Sequence, residues 1–206
     1  MLLEYPVSIK SCPIIQEFGF DNTNHPQRKA FYSLFDNKHP GVDFETPVGA
    51  EIKASFEGIV VRKEFHIGMG NVIGIRNGSI IALYAHLSEF RINLGEIVSA
   101  KEIIGLSGDT GSACLEPHLH FELRDISKSP LKAMVFKPCF EQELTSLHEN
   151  FIYNVNNENT QKTLRYLAIM YFGNAKYWEM IRDTNQLHIE MNDVLEQGKK
   201  IIIPNY

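Results

Sequence analysis

Asn71-Val72-Ile73-Gly74-Ile75-Arg76-Asn77-Gly78-Ser79-Ile80-Ile81-Ala82-Leu83-Tyr84 is the stretch that decides the fold. Two runs rich in β-branched residues, 71–75 and 79–84, are separated only by Arg76-Asn77-Gly78. No helical crossover fits in that gap, so the two runs must pair as antiparallel strands. A further run of the same kind, Gly58-Ile59-Val60-Val61, precedes them. Gly68, Gly70, Gly78, Gly95, Gly105, Gly108 and Gly111 fall between or at the ends of such runs. Residues 40–125 therefore read as a glycine-punctuated antiparallel sheet, and the stretch to about residue 38 as an irregular segment wrapping it.

The character changes after Lys137-Pro138-Cys139, where a polar segment with Glu141, Gln142, Glu143 and Glu149 begins. Beyond it Leu164, Leu167, Ala168 and Tyr171 recur at helical spacing, and Gly173 stands where that helix should stop. A second helix is expected from Ala175 through Thr184, with Tyr177, Trp178 and Ile181 facing inward. Phe151-Ile152-Tyr153-Asn154-Val155 and Ile201-Ile202-Ile203 read as flanking strands, so the tail is strand–helix–helix–strand. The fold class is mainly β, α+β overall. The expected division is residues 1–138 with a core at about 39–125, a linker at 139–150, and a small βααβ unit at 151–206.

Composition narrows the function. The chain has 206 residues, 44% hydrophobic, with a formal charge of -5, and so can bury a sizeable core. Residues 151–206 carry six Lys/Arg and six Asp/Glu, which leaves the acidic excess in the first part. The acidic balance opposes nucleic-acid binding, and no apolar run is long enough to span a membrane. The N-terminus lacks the basic region and apolar run of a secretory signal, so the expectation is synthesis in the cytoplasm without a signal peptide. Cys12, Cys114 and Cys139 form no C-x-x-C, which excludes a thiolate zinc ribbon; they read as free thiols packed as small hydrophobes.

Three short motifs carry the chemistry: His39-Pro40-Gly41-Val42-Asp43, Tyr84-Ala85-His86-Leu87 and Pro117-His118-Leu119-His120-Phe121-Glu122. Histidines and a carboxylate are donor types that Zn²⁺ prefers. His118 and His120 alternate with Leu119, Phe121 and Leu123, so on a strand both imidazoles share one face. Pro40 disfavours a helix at His39, and a turn is expected to bring His39 and Asp43 together. A lone histidine in a strand is more often a satisfied or surface residue, and His25, His66, His148 and His188 read that way.

The three motifs in this order, with Phe18-Gly19, Pro47-Val48-Gly49, Gly70-Asn71, Gly95 and Gly105-Leu106-Ser107-Gly108-Asp109-Thr110-Gly111, resemble the M23 family of zinc metallopeptidases over about residues 10–125. These are the lysostaphin/LytM-like endopeptidases that cut peptidoglycan. The resemblance implies an antiparallel-sheet peptidase domain with an active-site groove and bound Zn²⁺. It implies His39, Asp43 and His120 as metal ligands and His118 and His86 as catalytic histidines. His118 is assigned as base and His86 as stabiliser of the developing oxyanion, a contact worth roughly 3–4 kcal/mol in the barrier. Tyr84 and Asn71 would line the groove, although Tyr84 reads equally as a packing residue. Glu122 is either an outer hydrogen-bond partner of the ligands or a salt-bridged surface glutamate. Cys114-Leu115-Glu116 replaces the family's usual threonine and glycine, and the loop Arg76-Asn77-Gly78 is short. Both departures bear on specificity.

Residues 151–206 resemble a LysM domain of the variant found in phage tail and baseplate proteins, through Tyr153-Asn154-Val155, Thr163-Leu164, Ala168, Tyr171-Phe172-Gly173-Asn174, Tyr177-Trp178, Ile181, Asn185, Gly198 and Ile201-Ile202-Ile203-Pro204. The glycan-binding Gly-Asp of that family is replaced by Gln161-Lys162. The expected function is a peptidoglycan endopeptidase acting on the cell wall, as a virion- or tail-associated lysin partnered by phage tail or baseplate proteins through the C-terminal unit. The alternative is a structural tail or wall-binding protein that keeps the peptidase fold as a scaffold.

Overall fold

The computed structural model describes residues 2–20, 26–142, 150–156 and 162–205. His25, His148, Gln161 and much of the expected linker lie outside the described residues. In chain order the elements are β1 (Ile14–Gln16), α1 (Pro26–Tyr32), β2 (Val42–Glu45), β3 (Glu51–Lys53), β4 (Gly58–His66), β5 (Gly70–Asn77), β6 (Ile80–Phe90), β7 (Ile97–Val98), β8 (Ile103–Ser107) and β9 (His118–Asp125). There follow α2 (Leu131–Met134), β10 (Val135–Phe136), β11 (Phe151–Asn154), α3 (Leu164–Phe172), α4 (Trp178–Thr184) and β12 (Lys200–Ile203).

Antiparallel strands run in the order β1-β2-β9-β6-β5-β4-β7, with β10 on β9 and β8 bridging β6 to β3. β5 and β6 close on each other through Gly78-Ser79, with Asn77 opposite Ile80. Gly78 there has φ +56°, a conformation a side chain would resist. The sheet has two faces with different contents. On one, Phe44, Tyr84, Leu119, Phe121 and Leu123 join Ile73, Ile75 and Ile104 in the main core, closed by Leu3 and Val7 from the N-terminal segment. On the other stand His118, His120, Glu122 and Arg124, by simple alternation along β9.

The segment before residue 38 is more regular than its sequence suggested, since it contains β1 and α1. α1 begins at Pro26, whose missing N–H and fixed φ suit a first helical turn. Phe31 of α1 packs against Met69, Val72, Leu83 and Ala85 on the polar-bearing face of the sheet.

The tail forms strand, helix, helix, strand, with β11 and β12 paired as a separate sheet. Thr163 caps α3, its hydroxyl accepting from the Tyr166 N–H at 3.1 Å, and Gly173 ends it at φ +68°. The second helix starts as a short 3-10 turn over Ala175–Tyr177 before α4. Leu164, Leu167, Ala168, Phe172 and Ile181 form its core together with Ile59 of β4. Phe172 lies under the Arg76 guanidinium at 4.4 Å, and Asn205 Oδ1 accepts from the Gly78 N–H at 2.8 Å. The tail is thereby seated on the sheet. Among the described residues no helix is long and apolar enough to cross a membrane.

Candidate metal centre

β2 and β9 lie side by side with Asp43 opposite His120 and Glu45 opposite His118. Gly41 permits that approach, because a Cβ there would strike the Phe121 carbonyl. The turn before β2 then delivers His39 to the same point. Asp43 Oδ1 stands 2.7 Å from His120 Nδ1 and 3.2 Å from His39 Nε2, and the two ring nitrogens are 3.0 Å apart. All three side chains are buried.

The outer hydrogen bonds fix which nitrogens face inward. His39 Nδ1–H donates to the Glu17 carbonyl at 3.0 Å, leaving Nε2 toward the cluster. His120 Nε2–H donates to Glu122 Oε1 at 2.9 Å, leaving Nδ1. Arg124 Nε–H donates to the other Glu122 oxygen at 2.7 Å. Burial pushes the Glu122 carboxyl up, but Arg124 and His120 outweigh it and hold it at about 2. Burial likewise opposes charge on His120, yet Asp43 and Glu122 raise it to about 9 when no cation is bound. A metal ion would therefore displace a proton from Nδ1 to use its lone pair. Asp43 itself stays well below the usual carboxylate range beside His39 and His120.

These donors fit zinc. Two inward lone pairs and a carboxylate oxygen converge within 3.2 Å of one another, close to the roughly 3.3 Å edge of a tetrahedron with bonds of about 2.0–2.1 Å. The site is not a closed four-ligand cage. Against the cluster lies a cavity of about 20 Å³ lined in part by His86, His118, Met69 and Tyr32, room for about one water.

His86 and His118 flank that cavity with ring centroids 4.6 Å apart. His118 Nδ1–H donates to the Glu116 carbonyl at 2.7 Å, and its Nε2 is 3.8 Å from Asp43 Oδ2. His86 Nδ1–H donates to the Thr110 carbonyl at 2.7 Å. Burial first, then neighbouring imidazoles, drive His86 down to about 3; burial also lowers His118, against the pull of Asp43. Both are neutral near pH 7. His86 holds φ +64°, a left-handed conformation that a non-glycine residue adopts at a cost of order 1–3 kcal/mol.

Cys114, with His86 and His118, makes a second group of metal-type donors. Its Sγ lies 3.4 Å from His118 Nδ1 and donates to the Glu116 carbonyl at 3.1 Å. Burial pushes the thiol up to about 11, and His118 Nδ1 is already committed to Glu116, so this group is a weaker cation site than the first.

Residues 37–132 match peptidase family M23. LytU, a solved structure, is 32% identical, with a TM-score of 0.51, covering 62% of this chain and 81% of that one. The chain belongs to peptidase family M23. A zinc-containing peptidase from Vibrio cholerae aligns at 27% identity and a TM-score of 0.53, covering 66% of this chain and 39% of that one. The peptidoglycan DD-endopeptidase ShyA of Vibrio cholerae is 39% identical over 97 residues, 47% of this chain and 22% of the relative. The chain spans well under half the length of curated relatives that it matches. His39, Asp43 and His120 are the residues whose geometry would hold a zinc ion.

The other expected site residues fall differently. Tyr84 does not line the groove. Its ring packs on Phe121 in the main core and its hydroxyl accepts from the Ser55 N–H at 2.7 Å. Its position opposite Phe121 turns it to the apolar face, and burial lifts the phenol to about 12. Asn71 spends its side-chain N–H on the Leu87 carbonyl at 2.9 Å, bracing the chain just after His86. Glu122 is buried between His120 and Arg124 and is no surface residue. Sequence reasoning missed Glu17 and Thr110, which act through backbone carbonyls and so leave no side-chain signature. It also missed Arg28 and Tyr32, contributed by α1.

Proposed function

We propose that this chain is a zinc-dependent endopeptidase that hydrolyses peptide stems or cross-bridges of bacterial peptidoglycan. The observation that carries the reading is the buried His39–Asp43–His120 cluster, with tautomers fixed for metal binding, facing two neutral histidines across a water-sized space. Zinc, when bound, lowers the pKa of a coordinated water to about 7 and polarises a carbonyl oxygen.

The chain's own residues handle the proton. His118 carries its hydrogen on Nδ1, held by Glu116, and so offers a lone pair at Nε2. Asp43 stabilises its charged form, which makes His118 the better base of the pair. It takes a proton from the attacking water and returns it to the leaving nitrogen, assistance worth about 10²–10⁴-fold. His86 holds its hydrogen on Nδ1 for Thr110, so it donates toward a developing oxyanion only by releasing that carbonyl.

The finer reading is a virion- or tail-associated lysin whose LysM-like C-terminal unit engages tail or baseplate proteins. It is supported by the βααβ tail seated on the sheet, and tail genes beside its own would sustain it. The peptidase reading is tested by clearing of a peptidoglycan suspension. Clearing that chelator abolishes and zinc restores is the expected result; clearing indifferent to chelator overturns it.

A further inference from the structure

Arg28, on α1, reaches across to the loop that precedes His118, where its Nε–H donates to the Ala113 carbonyl at 2.8 Å. That bond fixes the guanidinium plane and leaves its two terminal nitrogens without a partner among the described residues. Two spaces meet at this side chain. One is the cavity of about 20 Å³ over the metal cluster, which Arg28 shares with Asp43, His86, His118 and His120. The other, of about 190 Å³, lies between Ile15 and Gln16 on one side and Leu115 and Glu116 on the other, and Arg28, Asp43 and His118 line it too. Only the larger has room for part of a peptide.

A half-buried cation beside a metal cluster costs affinity for the metal unless a negative charge offsets it. Arg28 makes no ion pair among the described residues, so it neutralises no internal acid there. Its remaining fork of donors matches the geometry of a carboxylate. His118 stands in the same cleft, and it is the group that returns the proton to the leaving nitrogen. The leaving half of the substrate is therefore the half that meets Arg28.

We propose that Arg28 is a specificity residue that receives a free carboxylate on the amino acid supplying the leaving nitrogen. The substrate class is then a peptide cut either before a C-terminal residue or at a cross-link whose amine-donating residue keeps its own carboxylate. Bridges built from residues without a free carboxylate near the scissile bond are disfavoured. This rests on the peptidase reading above.

The test uses zinc-loaded protein and two probes, an N-acylated lysyl-D-alanyl-D-alanine peptide and its C-terminal amide. Equilibrium binding is measured in the His118→Ala background, where turnover does not intrude, and turnover is measured in the otherwise native protein. The carboxylate peptide is expected to bind about 10- to 100-fold tighter than the amide. Arg28→Gln is expected to bind both weakly and alike, and Arg28→Lys to recover part of the preference. In turnover the loss should fall on KM. Equal binding of the two peptides, or a preference that survives Arg28→Gln, overturns the proposal. So does an Arg28→Gln variant that cleaves both peptides faster, which would make Arg28 a strut closing the cleft. Selective binding of the carboxylate with cleavage of neither peptide would instead sink the peptidase reading and leave the carboxylate site standing.

Discussion

The ten-stranded sheet and the C-terminal βααβ unit bury different things. Among the described residues, every buried polar or charged side chain lies between His39 and Asp125, while the tail core is Phe151, Leu164, Leu167, Phe172, Ile181, Ile201 and other apolar groups. Burying a polar group without partners costs several kcal/mol, so most such groups are satisfied or used. The sheet satisfies His120 from both ring nitrogens and Glu122 from both oxygens. The described residues of the tail contain no such investment. Its residues specify a shape, and its apolar core reaches Ile59 on the sheet.

That contrast can be broken in several ways. The largest effect is expected for Asp43→Ala or His120→Ala. Either should remove stoichiometric zinc, measured by elemental analysis, and abolish wall clearing; full zinc content in both variants would dismiss the assigned ligands. His118→Ala should keep the zinc and lose about 10²–10⁴-fold in kcat, since it removes proton transfer alone. An unchanged kcat would reassign the base.

The next effect belongs to the tail. Phe172→Ala empties a fully buried site beneath Arg76 and should cost about 3–5 kcal/mol of stability by chemical denaturation. Zinc content should not change. A Phe172→Ala protein of native stability that had lost its zinc would dissolve the division between chemistry and shape. The smallest effect is Glu122→Gln, which keeps the volume and weakens the hold on His120. Zinc affinity, read by chelator competition, should fall about 10–100-fold. An unchanged affinity would make Glu122 only a partner for Arg124.

The strands were legible because β-branched runs and glycines alternate too closely for any other element, and β9 displays its two faces through a period of two. The tail helices were legible from the spacing of Leu164, Leu167 and Ala168 and from Gly173. α1 was not, since its seven residues Pro26–Tyr32 are too few to show a face. Of the two readings of Tyr84, groove lining and packing, the structure takes packing, for a backbone reason. Parity along β6 groups it with His86, but the left-handed His86 turns its ring toward His118, while Tyr84 stays on the core side with Phe121. No side-chain pattern announces a positive φ at histidine. The partners that fix the histidines inward, Glu17, Thr110 and Glu116, act through carbonyls that every residue owns.

The central claim is that this cluster makes the chain cut amides in peptidoglycan. Mass spectrometry of purified peptidoglycan, digested by the zinc-loaded protein and by His120→Ala in parallel, tests it most directly. Cross-linked or longer peptides that gain one water per new amine and carboxyl terminus, in the native digest alone, are the expected result. Unchanged peptides, cut glycan strands, or equal cleavage by His120→Ala would contradict it.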